Sequence, residues 1–192
     1  MPRIARKVEI GLPHHITQRG NNRQDVFVDD KDRVNYLYWL ERYSKEYSAR
    51  IISCCLMSNH IHLIAVPEHH DSFSKTLSCT HYRYTQYFNR KMGLSGHLWQ
   101  GRFYSCPLKQ GYLETAIKYV ELNPVSAGLV DNVNSWRWTS GNQETILTKL
   151  ITLEDKFKYI ALSKEQWKKY FTEHFKDEEV ETIRKSTIRG RF

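Results

Sequence analysis

Four cysteines are scattered through the 192 residues, and no two have the two-to-four-residue spacing of a zinc knuckle. Cys54 and Cys55 are adjacent, so on a strand they point to opposite faces, and Cys79 and Cys106 stand alone. They read as small buried hydrophobes in a reducing compartment, and no local signature marks any of them as a catalytic thiol. Long apolar runs are missing too. No stretch approaches the roughly 18 residues that a membrane span needs, and the basic start "MPRIARKVEI" has no apolar run behind it to make a signal peptide. A soluble, cytoplasmic chain without membrane contact is expected. Internal repeats and low-complexity segments are absent. Acidic residues are the minority: 21 Asp and Glu against 29 Lys and Arg give a formal charge of +8. That sign suits a polyanionic partner such as nucleic acid, and equally a basic surface that only keeps the chain soluble. With 40 % hydrophobic and 13 % aromatic residues, a packed core is within reach, and the length suits one domain or a domain with an appendage.

Local patterns predict an ordered series of elements. "HHITQR" (14–19) alternates as a strand, and "GNNRQD" follows as a turn. A helix then opens with Asp29 or Asp30 as its cap. "ARIISCCLM" and "HIHLIAV" form an antiparallel hairpin about Ser58-Asn59. Residues 71–91 have helical spacing, "RFYSCPL" is a short strand, and "GYLETAIKYVELN" is a helix that should stop near Asn123, before Pro124. "VDNVNSWRWTS" reads as irregular. From about residue 145 the composition shifts to Lys, Glu and Thr with two or three modest helices. The order β-α-β-β-α-β-α is that of an α+β, ferredoxin-like split βαβ: an antiparallel sheet with helices on one face.

Two pairs of residues carry chemistry. His60 and His62 lie two apart on a strand, so they share a face, with Ile61 turned the other way. They are a natural pair of metal ligands, or else one is exposed and the other hydrogen-bonded inside. Tyr119 and Asn123 are four apart on one helix face. The amide is a reasonable hard third ligand, and the phenol would stand beside the cation. The alternative is a core tyrosine near the end of an amphipathic helix.

Taken together, "SNHIHLIAV", "HITQRGNNRQDVF", "LWQGRFYS", "YVELNPVSAGLV" and "WRWTS" resemble the REP-associated tyrosine transposases. These are relatives of the single-tyrosine insertion-sequence transposases in the HUH nuclease superfamily. The likeness runs from about residue 13 to about residue 140. It implies a ferredoxin-like HUH core over 1–140, followed by a helical C-terminal extension with a basic tail over 141–192. It implies that His60 and His62 bind a divalent metal, with Asn123 at the position of the third ligand. Tyr119 would attack a single-stranded DNA phosphodiester, leaving a 5′-phosphotyrosine and a free 3′-hydroxyl. The substrate implied is hairpin DNA of repetitive extragenic palindromes, and the outcome is DNA strand transfer. Hard oxygen ligands favour Mg²⁺, whereas two imidazoles tilt the site toward Mn²⁺.

For DNA contact, Arg19, Asn21, Asn22 and Arg23 cluster after the first strand, and Arg102 stands beside Trp99 and Gln100. Charge tracks a backbone and rings stack bases. The tail adds Arg184, Lys185, Arg189 and Arg191, the end that the resemblance implies in hairpin recognition. Tyr112 and Tyr104 compete with Tyr119 but lack an Asn four residues later. His15 falls within a matching block without an assignable role. Two other functions compete: a non-catalytic hairpin-binding protein that keeps the fold, and an RNA-binding ferredoxin-like module, against which the absence of stacking aromatics in "RIISCCLM" counts. The resemblance implies a monomer, because the tail suits a site completed in one chain, with a homodimer as the other arrangement.

Overall fold

A computed structural model describes residues 7–109, 111–142, 145–173 and 177–190, the side chain of residue 177 excepted. Strand β1 (His14–Arg19) leads through a 3-10 turn, Asn21–Arg23, to helix α1 (Asp30–Glu46). Asp29 caps α1 in a full capping box with Asp32. Strands β2 (Ala49–Leu56) and β3 (His60–Pro67) form the hairpin, and α2 (Ser72–Met92), β4 (Tyr104–Pro107) and α3 (Leu113–Glu121) follow. Two short helices, α4 (Asn123–Ser126) and α5 (Leu147–Leu150), precede α6 (Lys164–Thr172) and α7 (Asp177–Arg189). The four strands are antiparallel in the order β2-β3-β1-β4. This is the split βαβ arrangement read from the sequence.

Strand alternation divides the sheet between two cores. Ile16, Ile61, Leu63 and Ala65 face the buried residues of α1 and α2, among them Tyr36, Leu37 and Tyr84. Ile64 and Val66 face Ala116, Ile117 and Val120 of α3 and Ile183 of α7. Helices therefore cover both faces, not one. The reason is the amphipathic α3: its apolar stripe needs a second surface, and the site face of β3 supplies it. A bulge between Ile51 and Ser53 resets the parity of β2, so that Ile51, Cys54 and Leu56 enter the first core while Ile52, Cys55 and Met57 enter the second. Cys54 and Cys55 do face opposite ways, and all four cysteines are free thiols.

Two local expectations change. The chain does not stop being helical at Asn123: Leu122 (φ −93°, ψ 7°) breaks α3, and Asn123 begins α4 with Pro124 in its first turn. A proline there forfeits no hydrogen bond, because first-turn N–H groups have no intrahelical acceptor. The "WTS" segment is not irregular throughout. The Leu56 amide donates to the Trp138 carbonyl and the Ser140 amide to the Cys54 carbonyl, which covers the outer edge of β2. Among the described residues no helix is long and apolar enough to cross a membrane.

Candidate active site

The site forms on the face of the sheet that looks toward α3 and α7. Cross-strand register sets its floor: Arg19 pairs with His60, Thr17 with His62 and His15 with Ile64. Odd residues of β1 and even residues of β3 therefore share this face. The two-residue hairpin loop, closed by the Met57 amide donating to the His60 carbonyl, puts His60 at the strand's start. Asn59 sits in that loop. Its amide nitrogen donates to the Arg23 carbonyl, and its side-chain oxygen lies 2.6 Å from His60 Nδ1.

His60 and His62 lie with ring centroids 4.9 Å apart. His62 Nδ1 is 2.9 Å from His15 Nε2, and His15 Nδ1 is 2.6 Å from the Thr187 hydroxyl on α7. Tyr119, projecting from α3, meets His62 edge-on at 5.4 Å and His15 at 5.8 Å. Arg184, one turn before Thr187, donates from Nε to the Tyr119 oxygen at 3.2 Å and lies over its ring. Tyr119 is only 3 % exposed, so it is buried as a core tyrosine would be, yet its ring packs on two imidazoles and its oxygen meets a guanidinium. Asn123, one turn on, is also buried, and its carboxamide makes no hydrogen bond to protein among the described residues.

Burial dominates the electrostatics. It pushes His15 down to about 3 and His60 to about 4, and holds His62 well below the ordinary imidazole value. Positive charge from Arg19 and Arg184 adds to the depression at His60 and His62. At neutral pH the three rings are uncharged. Each of His60 and His62 has Nδ1 engaged by a protein partner and, among the described residues, Nε2 without one. Among the described residues no group of three His, Cys, Asp or Glu side chains is set to hold a metal ion. Two neutral imidazoles plus an unengaged amide nevertheless fit a divalent cation on donor chemistry.

The basic residues after β1 are laced to the loop before β4. The Asn21 amide donates to the Leu98 carbonyl, the Gln100 amide to the Arg19 carbonyl, and Gly20 bridges Trp99. Arg19, Asn21 and Arg23 thus share a rim with the segment leading to the exposed Arg102. Asn22 and Arg23 hold left-handed backbone conformations (φ 50° and 60°), which for a non-glycine residue are uncommon. Arg184 lies on the phenol and Arg189 is exposed near the end of α7, while Arg191 falls outside the described residues. The competing tyrosines lie elsewhere. Tyr112 is 37 % exposed at the start of α3, and Tyr104 pairs with Thr17, two strands or roughly 10 Å from His62. The sequence reading missed three residues of this network: Asn59, Thr187 and the function of His15. Only His15 had a signal, its parity with Thr17 and Arg19 on β1.

The four-stranded antiparallel sheet thus carries a His-x-His pair opposite a helical tyrosine. The chain belongs to the IS200-like transposase family, whose profile matches residues 10–123. A Haemophilus influenzae protein named as a REP-associated tyrosine transposase is 23 % identical over 111 residues, 52 % of this chain and 63 % of its own length. The chain thus spans under two thirds of that relative. A solved structure of a REP-associated tyrosine transposase bound to a REP hairpin superposes with a TM-score of 0.59 at 20 % identity, over 75 % of this chain and 85 % of the other, and so shares the fold.

Proposed function

We propose that this chain is a metal-dependent single-stranded DNA endonuclease and strand transferase. Tyr119 is its nucleophile, and His60, His62 and Asn123 hold Mg²⁺ or Mn²⁺. One observation carries the reading: the phenol from α3 stands edge-on to His62 at 5.4 Å under the Arg184 guanidinium, within one chain.

The Tyr119 oxygen attacks the scissile phosphorus and loses its proton to solvent. An Oη–P bond forms, the P–O3′ bond breaks, and the departing 3′ oxygen takes up a proton. The phosphodiester energy is conserved in the phosphotyrosine, so rejoining needs no nucleotide cofactor. Arg184 places positive charge beside the attacking oxygen, where negative charge develops. A bound divalent cation would draw charge from the phosphate oxygens. Arg19 beside His60, with Asn21, Arg23, Arg102 and Arg189, supplies charge and hydrogen bonds along the strand.

The substrate proposed is hairpin-forming repetitive extragenic palindrome DNA. The named Haemophilus relative and the hairpin-bound structural neighbour support this. Because imidazoles and phenol come from one chain, the geometry supports a monomer. The test is incubation of a labelled hairpin strand with the protein and Mn²⁺, followed by denaturing electrophoresis. A covalent protein–DNA band is expected, lost in Tyr119→Phe with hairpin binding retained. Full cleavage by that variant refutes the nucleophile. Binding by the wild type without any adduct leaves the hairpin-binding alternative.

A further inference from the structure

His15 has no part in the chemistry above, yet it is buried between the site and the C-terminal helix. Its hydrogen bonds can be followed proton by proton. The Thr187 hydroxyl donates to the Ile183 carbonyl at 2.8 Å, and a carbonyl only accepts. The Thr187 oxygen, 2.6 Å from His15 Nδ1, must then accept, so the His15 proton sits on Nδ1. A neutral ring has one N–H, so His15 Nε2 is bare, and across 2.9 Å it accepts from His62 Nδ1. The His62 proton is therefore on Nδ1 and its Nε2 lone pair is free. On His60 the same result arises locally. Asn59 spends its amide N–H on the Arg23 carbonyl and turns its oxygen to His60 Nδ1, which must donate.

We propose that His15 and Thr187 are positioning residues for His62: they hold its proton on Nδ1 and so present Nε2 to the cation. This rests on the metal site proposed above. In a neutral imidazole, the partner of one nitrogen decides which form the other takes. Metal-ligating histidines ordinarily use a carboxylate, a backbone carbonyl or water for this purpose. Here the terminal acceptor is a helix carbonyl, reached through a second histidine and a threonine. The chain of bonds links α7 to β1 and β3, which makes the C-terminal segment part of the site's construction.

The experiment reads protons as well as metal. Long-range ¹H–¹⁵N correlation on the full chain in EDTA should show His15, His60 and His62 each protonated on Nδ1. In Thr187→Val the acceptor is gone, the His15 proton can move to Nε2, and His62 should turn to its Nε2–H form. Mn²⁺ affinity, followed by electron paramagnetic resonance titration, should fall about 10–100-fold, the usual effect of losing an outer-shell partner. Thr187→Ser should restore both readouts. If Thr187→Val does not fold, His15→Phe serves instead, with the same expected loss of the His62 Nδ1–H form. A wild type with His62 protonated on Nε2 overturns the proposal. So does a folded variant with unchanged tautomer and Mn²⁺ affinity while the wild type binds normally. A wild type that takes up no Mn²⁺ overturns the metal site itself and the positioning role with it, even with the tautomers as stated.

Discussion

Lowering the pH should unfold the metal-free protein earlier than its carboxylates alone would require. His15 and His81 are buried with their imidazoles pushed to about 3 and His60 with its imidazole pushed to about 4, and His62 is depressed in the same direction. In the unfolded chain each would titrate near 6.5. Below that value the unfolded state binds protons that the folded state refuses, so stability is present above about pH 6.5 and is lost as pH falls toward about 3. At pH 5 the loss is roughly 2 kcal/mol for each of His15, His60 and His81, or about 6 kcal/mol for the three, and His62 adds to it in the same direction. That is a large part of the roughly 5–15 kcal/mol that a domain has. The assay is urea unfolding followed by tryptophan fluorescence, with EDTA present, at pH 7.5 and pH 5.0. His81, packed on Trp99 and bonded to the Tyr36 hydroxyl away from the proposed ligands, is the internal control. In His81→Gln about 2 kcal/mol of the pH dependence should disappear. A wild-type loss below about 2 kcal/mol, the share of a single histidine, refutes the claim that these rings are neutral because they are buried.

Other consequences are more local. Two arginines and no carboxylate are among the charges acting on His60 and His62, so Mn²⁺ alone should bind weakly; hairpin DNA should tighten it about 5–150-fold, the usual range of coupling, as read by Mn²⁺ titration with and without the strand. Lys156→Ala should destabilise by about 3–5 kcal/mol in urea melts, because it strands the 2 %-exposed Glu121 carboxylate, whereas Lys158→Ala, removing a surface pair, should cost no more than ~1 kcal/mol. Gly20→Ala should destabilise by about 1–3 kcal/mol and weaken hairpin binding in a shift assay, since an added Cβ would lie 2.3 Å from the Gln24 carbonyl oxygen.

Much of the fold was legible in the sequence because its signals are short-range. The spacing of His60, Ile61 and His62 states the strand and its two faces, and the Asp29-Asp30 pair brackets where α1 begins, with Asp29 the cap. The parity of β2 was not legible, because the continuous apolar run carries no local mark of the register shift between Ile51 and Ser53. The second helical layer was legible in part: the split topology allowed α3 to lie against the hairpin, but only packing shows that helices cover both faces of the sheet.

The candidate site divides in the same way. His60, His62 and Tyr119 could be named from spacing and resemblance, and they come together. The residues that hold them could not. His15 lies 47 positions from His62 and 172 from Thr187, so no local pattern relates the three. Arg184 illustrates the difference in kind. Its charge alone made it one of several arginines suited to a phosphate, but its position on α7, one turn from Thr187, sets it on the Tyr119 oxygen. One helix turn of the C-terminal segment thus touches both halves of the proposed chemistry, the phenol through Arg184 and the His62 imidazole through Thr187 and His15. A segment that only decorated a finished core would have no reason to bury the Thr187 hydroxyl against the core's most polar face, since burial forfeits hydration that only a well-made partner restores. That buried contact, with the part-buried Arg184 bond beside it, is the physical ground for treating α7 as part of the site.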